Sequence, residues 1–125
     1  LGGTYAGSPL GTTAALKIIK IIEEENLLAR SQELGTKIAG FLSELNNSKI
    51  AHIRHKGAML AFDLVDSNGK PDMEATNALK AKAFEKGLLL ASCGMYFNTI
   101  RVMVPLTIQD EVLEEGLHII QQALA

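Results

Sequence analysis

Lys49–Val65 reads KIAHIRHKGAMLAFDLV, and the fold turns on this stretch. Its apolar residues leave the helical period that precedes them, so Ile50–Arg54 and Ala58–Val65 read as two strands. Lys56-Gly57 between them is expected to form a turn or bulge. Immediately downstream, Asp66-Ser67-Asn68-Gly69-Lys70-Pro71 reads as a loop, because most of these residues favour turns. A second strand pair follows further on, Leu88–Ser92 and Thr99–Val104, joined by Cys93-Gly94-Met95-Tyr96-Phe97-Asn98.

Helices fill the rest of the chain. Between the strand pairs, Asp72 caps a helix running to about Lys86, with Ala75, Leu79, Ala83 and Phe84 turned inward and Gly87 as its stop. Pro105 ends the last strand. Thr107 or Asp110 is expected to cap a final helix lined by Val112, Leu113, Leu117, Ile120 and Leu124. Upstream of Lys49, Leu27 to Leu45 carries a helical stripe of Leu27, Leu34, Ile38, Phe41, Leu42 and Leu45, closed by Asn46-Asn47-Ser48. Before it, Pro9 to Glu25 reads as a helix with Ser8 as N-cap and Pro9 in its first turn. Leu10, Ala14, Ile18, Ile21 and Ile22 share one of its faces, and Glu23-Glu24-Glu25 is a solvated acidic run at its end. Strands that come in pairs among helices predict an α+β fold, a mostly antiparallel sheet of about four strands covered by helices. The first helix precedes the sheet and has no strand of its own to cover.

Composition narrows the function. A chain of 125 residues is one domain, and 47% apolar against 21% charged residues can build a core, which excludes intrinsic disorder. The 12 basic and 14 acidic side chains are spread along the chain, so no basic stripe can neutralise phosphates. Aromatics make up 5% and Trp is absent, which leaves no base-stacking platform, and nucleic acid is not an expected partner. No apolar run is long enough to cross a bilayer, so no membrane partner is expected either. A single cysteine, Cys93, cannot form an internal disulfide and points to a reduced, cytoplasmic setting. The chain begins without Met and reads as a segment of something larger.

Catalytic constellations are hard to find. His52 and His55 stand three apart in a strand and are expected on opposite faces, and His118 is alone on a helix, so no metal site is expected. Asp63 reads as a solvent-face carboxylate with no partner at general acid/base spacing. Cys93 reads as an inert thiol. Two features stand out. Gly2-Gly3-Thr4-Tyr5-Ala6-Gly7-Ser8-Pro9 leads into a helix, and glycines with a hydroxyl donor there suit a phosphate oxygen, although the same pattern also makes an ordinary tight loop. Arg101 sits in the apolar strand Ile100-Arg101-Val102-Met103-Val104, where its guanidinium is expected to be paired, either in a structural ion pair or with a ligand carboxylate.

Three stretches carry a resemblance: LGGTYAGSPLGTTAAL at the start, GAMLAFDL in the centre, and GLLLASCGMYFNTIRVMVPLTI near the end. Together they resemble the C-terminal portion of class III, fold type I pyridoxal-phosphate aminotransferases, over essentially the whole chain. The third stretch resembles the branch that transfers the amino group of 4-aminobutyrate to 2-oxoglutarate, giving succinate semialdehyde and glutamate. Ornithine, acetylornithine and 5-aminovalerate branches are the near alternatives, and a stand-alone α+β module that binds a small acid or dimerises is the distant one.

The resemblance implies that residues 1–125 are the small C-terminal domain with its leading loop and interdomain helix, the large cofactor-binding domain being absent. The family's cofactor-bearing lysine lies upstream, so the chain alone is expected to be inactive and not to retain pyridoxal phosphate. Thr4, with Gly3 beside it, matches the family threonine that bonds the cofactor phosphate of the neighbouring subunit, which implies a homodimeric parent. Arg101 matches the arginine that binds the α-carboxylate of glutamate or 2-oxoglutarate, and that an upstream glutamate neutralises when 4-aminobutyrate binds. Three departures stand against this background. Phe97 replaces a Gly and is expected to narrow the loop's backbone freedom and crowd the pocket. Ser8 replaces an Asn, another capping residue, and His55-Lys56 replaces Gly-Leu before Gly57. Freed of a large domain, the first helix is expected to expose its apolar side.

Overall fold

Leu60, Phe62 and Leu64 alternate with Met59, Ala61 and Asp63, and that alternation decides which side of the sheet is dry. The computed structural model describes residues 2–125, so Leu1, the first residue of the opening motif, lies outside the described residues. Its elements run α1 (Pro9–Glu24), α2 (Leu27–Glu44), β1 (Ile50–Lys56), β2 (Met59–Leu64), α3 (Met73–Glu85), β3 (Ala91–Cys93), β4 (Thr99–Met103) and α4 (Asp110–Leu124). The four strands form one sheet in the order β1-β2-β4-β3, and every neighbouring pair is antiparallel. This is the α+β architecture expected from the paired strands.

One face of the sheet is buried and the other is open. Leu60, Phe62 and Leu64 of β2 with Ile100 and Val102 of β4 pack against Leu34, Ile38 and Leu42 of α2, Leu79 and Ala83 of α3, and Leu113, Leu117 and Ile120 of α4. Burying each large side chain of this set contributes about 1.5–3 kcal/mol. By contrast, α1 buries none of its residues and packs mainly on α2, leaving Leu10 85% and Leu16 70% exposed. The apolar exposure expected of the first helix is therefore present.

Specific polar contacts fix how α2 meets its neighbours. Ser31 Oγ accepts the amide of Ala58 at 3.0 Å, and one helical turn on, Gly35 lies so close that an added Cβ would stand 2.0 Å from the Gly57 carbonyl oxygen. Serine and glycine four apart on α2 thus clamp the β1–β2 turn. At the other side Arg30 bonds Asp110 and the Ile108 carbonyl, and Lys37 reaches Glu114 at 2.8 Å and Asp110 at 3.7 Å. The Arg30 guanidinium holds the Asp110 carboxyl below the usual carboxylate range, and Arg30 and Lys37 are raised in turn, by their bonds to Asp110 and Glu114 respectively.

The structure departs from the expected elements in five places. Strand β1 extends to Lys56, so the turn is Gly57-Ala58 and the bulge lies earlier, between Ala51 and Arg54. Leu88–Leu90 is not strand: the helix ends in a left-handed Gly87 whose amide bonds Phe84, while Leu88 bonds back to Ala83, and the chain enters the sheet at Ala91. Phe84 is 68% exposed and Val112 is 52% exposed, because the buried stripes of α3 and α4 pass through their neighbours instead. Gln109, not Thr107 or Asp110, is the N-cap of α4, because Asp110 is drawn to Arg30 as the first helical residue. Ser8 stands at the N-cap of α1 but its side chain makes no capping bond, whereas Asp72 caps α3 through Ala75 at 2.8 Å.

Candidate functional site

Register on the open face lines side chains into rows. Arg54 pairs with Ala61, Ala61 with Arg101, and Arg101 with Ala91, so one row across the four strands reads Arg54, Ala61, Arg101, Ala91. The next row reads Ala51, Asp63, Thr99, Cys93. Met59 and Met103 face each other on the opposite side of the arginine row, both more than half exposed. Small residues on either side of Arg101 leave room above it, and a concavity of about 320 Å³ is lined by Arg54, Lys56, Met59, Cys93, Thr99 and Arg101 among others.

Arg101 is exposed and, among the described residues, has neither an ion-pair partner nor a side-chain hydrogen bond. The expectation that its guanidinium must be paired is corrected by this geometry. It stands on the open face, between alanines, where solvent reaches it. A free planar fork on a surface of apolar and small side chains is suited to bidentate capture of a carboxylate.

Asp63 is not a free solvent-face carboxylate. Its side chain is 17% exposed, and its Oδ1 accepts from Arg54 at 3.0 Å and from the Thr99 hydroxyl at 2.7 Å. Arg54 also donates to the carbonyl of His52 at 2.7 Å. That carbonyl is offered by the bulge, where His52 takes φ +51°, a left-handed conformation unusual outside glycine. The bulge disrupts the alternation assumed for His52 and His55. His52 is exposed at the bulge, and His55 lies against α2 with Nδ1 3.3 Å from the Gly57 carbonyl. His118 Nδ1 lies 2.8 Å from the Glu114 carbonyl, and its ring meets Phe41 edge-on. Among the described residues no three His, Cys, Asp or Glu side chains gather as a metal site.

The β3–β4 loop carries a residue that sequence reasoning missed. Asn98 is buried, donates from Nδ2 to the Leu64 carbonyl at 2.9 Å, and accepts the Leu64 amide on its own carbonyl at 2.7 Å. It ties the loop to the end of β2 and so sets where β4, and Arg101 on it, begins. The signal in the sequence was the residue type alone, an asparagine closing the Cys93–Asn98 loop, which readily bonds backbone groups at a turn. Phe97 before it takes φ +54°. A phenylalanine thus occupies a glycine-type conformation, and its ring is 59% exposed.

Thr4 and Gly3 lie in the lead of α1, before the first helix. The Gly3 carbonyl accepts the Ala6 amide at 3.0 Å in a turn, Thr4 is exposed, and open space surrounds Gly2 and Gly3. Among the described residues no hydrogen bond joins this lead to Arg101. Among the described residues no helix is long and apolar enough to cross a membrane.

With this geometry in hand, the likeness to known proteins is specific. The sequence pattern of the aminotransferase class-III family matches residues 1–124. The chain is 44% identical over 126 residues to 4-aminobutyrate aminotransferase GabT of Escherichia coli, covering 98% of this chain and 30% of that protein. It is 43% identical over 128 residues to 5-aminovalerate aminotransferase DavT of Pseudomonas putida, covering 100% of this chain and 30% of that one. A transaminase from a marine Virgibacillus superposes with a TM-score of 0.87 at 26% identity, over 99% of this chain and 30% of the transaminase. The chain therefore spans about 30% of the length of the curated relatives named here, all along its own. Family pattern, sequence identity and fold agree: the chain belongs to the class-III aminotransferases.

Proposed function

We propose that this chain is the small C-terminal domain, with its leading loop and interdomain helix, of a cytoplasmic, homodimeric pyridoxal-phosphate aminotransferase. Its reaction moves the amino group of 4-aminobutyrate to 2-oxoglutarate, giving succinate semialdehyde and glutamate. The observation that carries the reading is Arg101: a free guanidinium on an open sheet face, flanked by Ala61 and Ala91. Such a group, with small side chains on both sides, suits bidentate binding and orientation of a substrate carboxylate. 2-Oxoglutarate and glutamate carry an α-carboxylate for it, whereas 4-aminobutyrate does not.

The residues of the α1 lead fit the phosphate of the cofactor. Thr4 offers an exposed hydroxyl, and Gly2 and Gly3 leave the backbone open to close approach. By the family resemblance, Thr4 and Gly3 would hold that phosphate from across a subunit boundary. When bound, pyridoxal phosphate supplies the electron sink for amino-group transfer, while this domain supplies orientation. By the family resemblance none of the nine lysines here is the cofactor's lysine, so the chain alone is inactive and does not retain the cofactor.

A second donor has support of its own, because the relative named for 5-aminovalerate matches almost as well as the one named for 4-aminobutyrate. Both donors are ω-amino acids without an α-carboxylate. The test is transamination to 2-oxoglutarate by the longer enzyme that carries this chain, with 4-aminobutyrate, 5-aminovalerate and ornithine as competing donors. A kcat/KM preference for 4-aminobutyrate is expected. Preference for ornithine would overturn the substrate reading, and preference for 5-aminovalerate would transfer it to the neighbouring donor.

A further inference from the structure

Two arginines on the open face stand in reach of one carboxylate. Arg54 and Arg101 flank Ala61 in the same row, about 10 Å apart at two strand spacings. Asp63 lies two residues along the same strand from Ala61 and faces the same side, which makes it a diagonal neighbour of both. Diagonal positions on a sheet face are within reach of a side chain as long as arginine. The structure gives the aspartate to Arg54, at 3.0 Å, and leaves Arg101 unpaired. Arg54 is held there by a second bond to the His52 carbonyl at 2.7 Å, and Thr99 holds Asp63 from the other side at 2.7 Å. The bulge that presents the His52 carbonyl requires a left-handed histidine, a conformation that the surrounding contacts must over-determine.

We propose that Arg54 is a positioning residue: by occupying Asp63 it keeps that carboxylate from pairing with Arg101, so that Arg101 is free to take a substrate carboxylate. The proposal rests on the reading of Arg101 as the carboxylate-binding residue. Without Arg54, Asp63 becomes an internal competitor tethered beside Arg101. Substrate then binds only the fraction of molecules in which that new pair is open, which raises the apparent dissociation constant by the inverse of the fraction.

The test uses the longer enzyme that carries this chain, with KM and kcat measured separately for 2-oxoglutarate and for the amino donor. Arg54→Met, which keeps the stem and removes the charge, is expected to raise KM for 2-oxoglutarate about fivefold while kcat and the donor KM hold within about twofold. Adding Asp63→Asn to Arg54→Met removes the competitor's charge and is expected to restore KM. Asp63→Asn alone is expected to leave KM for 2-oxoglutarate where it was. A merely structural ion pair gives a different pattern, in which each single variant lowers kcat or stability and the double variant rescues nothing. An unchanged KM in Arg54→Met, or a failure of the double variant to restore it, overturns the proposal. Should Arg54→Met not fold, Arg54→Lys and Arg54→Gln take its place: a raised 2-oxoglutarate KM in Arg54→Gln that Asp63→Asn restores supports the proposal, and an unchanged KM in Arg54→Gln, or no rescue, overturns it. Arg101→Ala, run in parallel, separates the two levels. If it leaves 2-oxoglutarate binding intact, the carboxylate reading itself fails; if it abolishes binding while Arg54→Met is silent, the role of Arg54 alone fails.

Discussion

Arg54 and Arg101 occupy one row of the sheet on either side of Ala61, yet Arg54 holds Asp63 and Arg101 holds nothing among the described residues. The asymmetry follows from the bulge in β1, which brings the His52 carbonyl to Arg54 and anchors its guanidinium beside the aspartate. On β4 there is no bulge, and the row offers Arg101 only methyl groups. One arginine of this face is thus satisfied within the chain and the other is left open among the described residues.

Removal of the unsatisfied arginine should therefore cost binding and not folding. In the longer enzyme, Arg101→Ala is expected to weaken 2-oxoglutarate and glutamate by about 10- to 100-fold, the range of a charge-assisted bidentate contact. The KM of a donor without an α-carboxylate should change little. Steady-state kinetics with each substrate varied in turn checks this, and equal losses for acceptor and donor would contradict the assignment.

Phe97 invites a substitution in the opposite direction. A bulky residue at φ +54° carries a left-handed backbone cost of about 1 kcal/mol that glycine does not pay. Its ring is 59% exposed, so little packing is lost on removing it. Phe97→Gly is expected to raise the stability of the chain by up to about 1 kcal/mol, net of the added unfolded-state entropy. The urea midpoint reads this directly, and a lower midpoint would show that the exposed ring contributes more than its exposure suggests.

The sheet and its helices were legible because their signals are local. Leu34, Ile38 and Leu42 keep helical spacing, Leu60, Phe62 and Leu64 keep strand spacing, and Asp72 and Gly87 punctuate α3 at its two ends. What was not legible depends on register between distant segments. That Asp63 meets Arg54 and Thr99 needs the two-against-one count at the β1 bulge, which places Arg54 opposite Ala61. The extended Leu88–Leu90 resembles a strand by composition, but the sheet accepts the chain only from Ala91, where Arg101 provides the partner. Arg101 itself was visible as a charge in an apolar strand. Its freedom was not, because the rule that such a charge must be paired holds for a buried face and this face is open.

Gly35 tests the clamp between α2 and the β1–β2 turn. A Cβ there would lie 2.0 Å from the Gly57 carbonyl oxygen and 2.6 Å from His55 Nδ1, and the first of these is backbone that cannot rotate away. Gly35→Ala is expected to destabilise the chain by about 1–3 kcal/mol, the range for overpacking, despite the better helix propensity of alanine. Gly40, on the same helix with open space where its Cβ would stand, is the control: Gly40→Ala should be neutral or stabilising by up to about 1 kcal/mol. Denaturant unfolding of the two variants side by side checks the contrast, and equal effects would show that the close approach relaxes at no cost.

The cluster at the start of α4 sets an acid-sensitive contact between α2 and α4. Arg30 holds the Asp110 carboxyl below its ordinary range, so the folded state binds the proton less readily than the unfolded state. The contribution is therefore fully present above the unfolded aspartate value and is lost as pH falls through the lowered folded value. Asp110→Asn removes the titrating group and keeps the shape. It is expected to lower stability near neutral pH and to flatten this part of the acid limb, so that wild type and variant converge as pH falls below the usual carboxylate range. Urea midpoints across that range, at low and at high salt, check the sign. Because Asp110 is 47% exposed, the difference should also shrink as salt screens the pair. A gap that widens toward acid would mean that another carboxylate controls the acid limb.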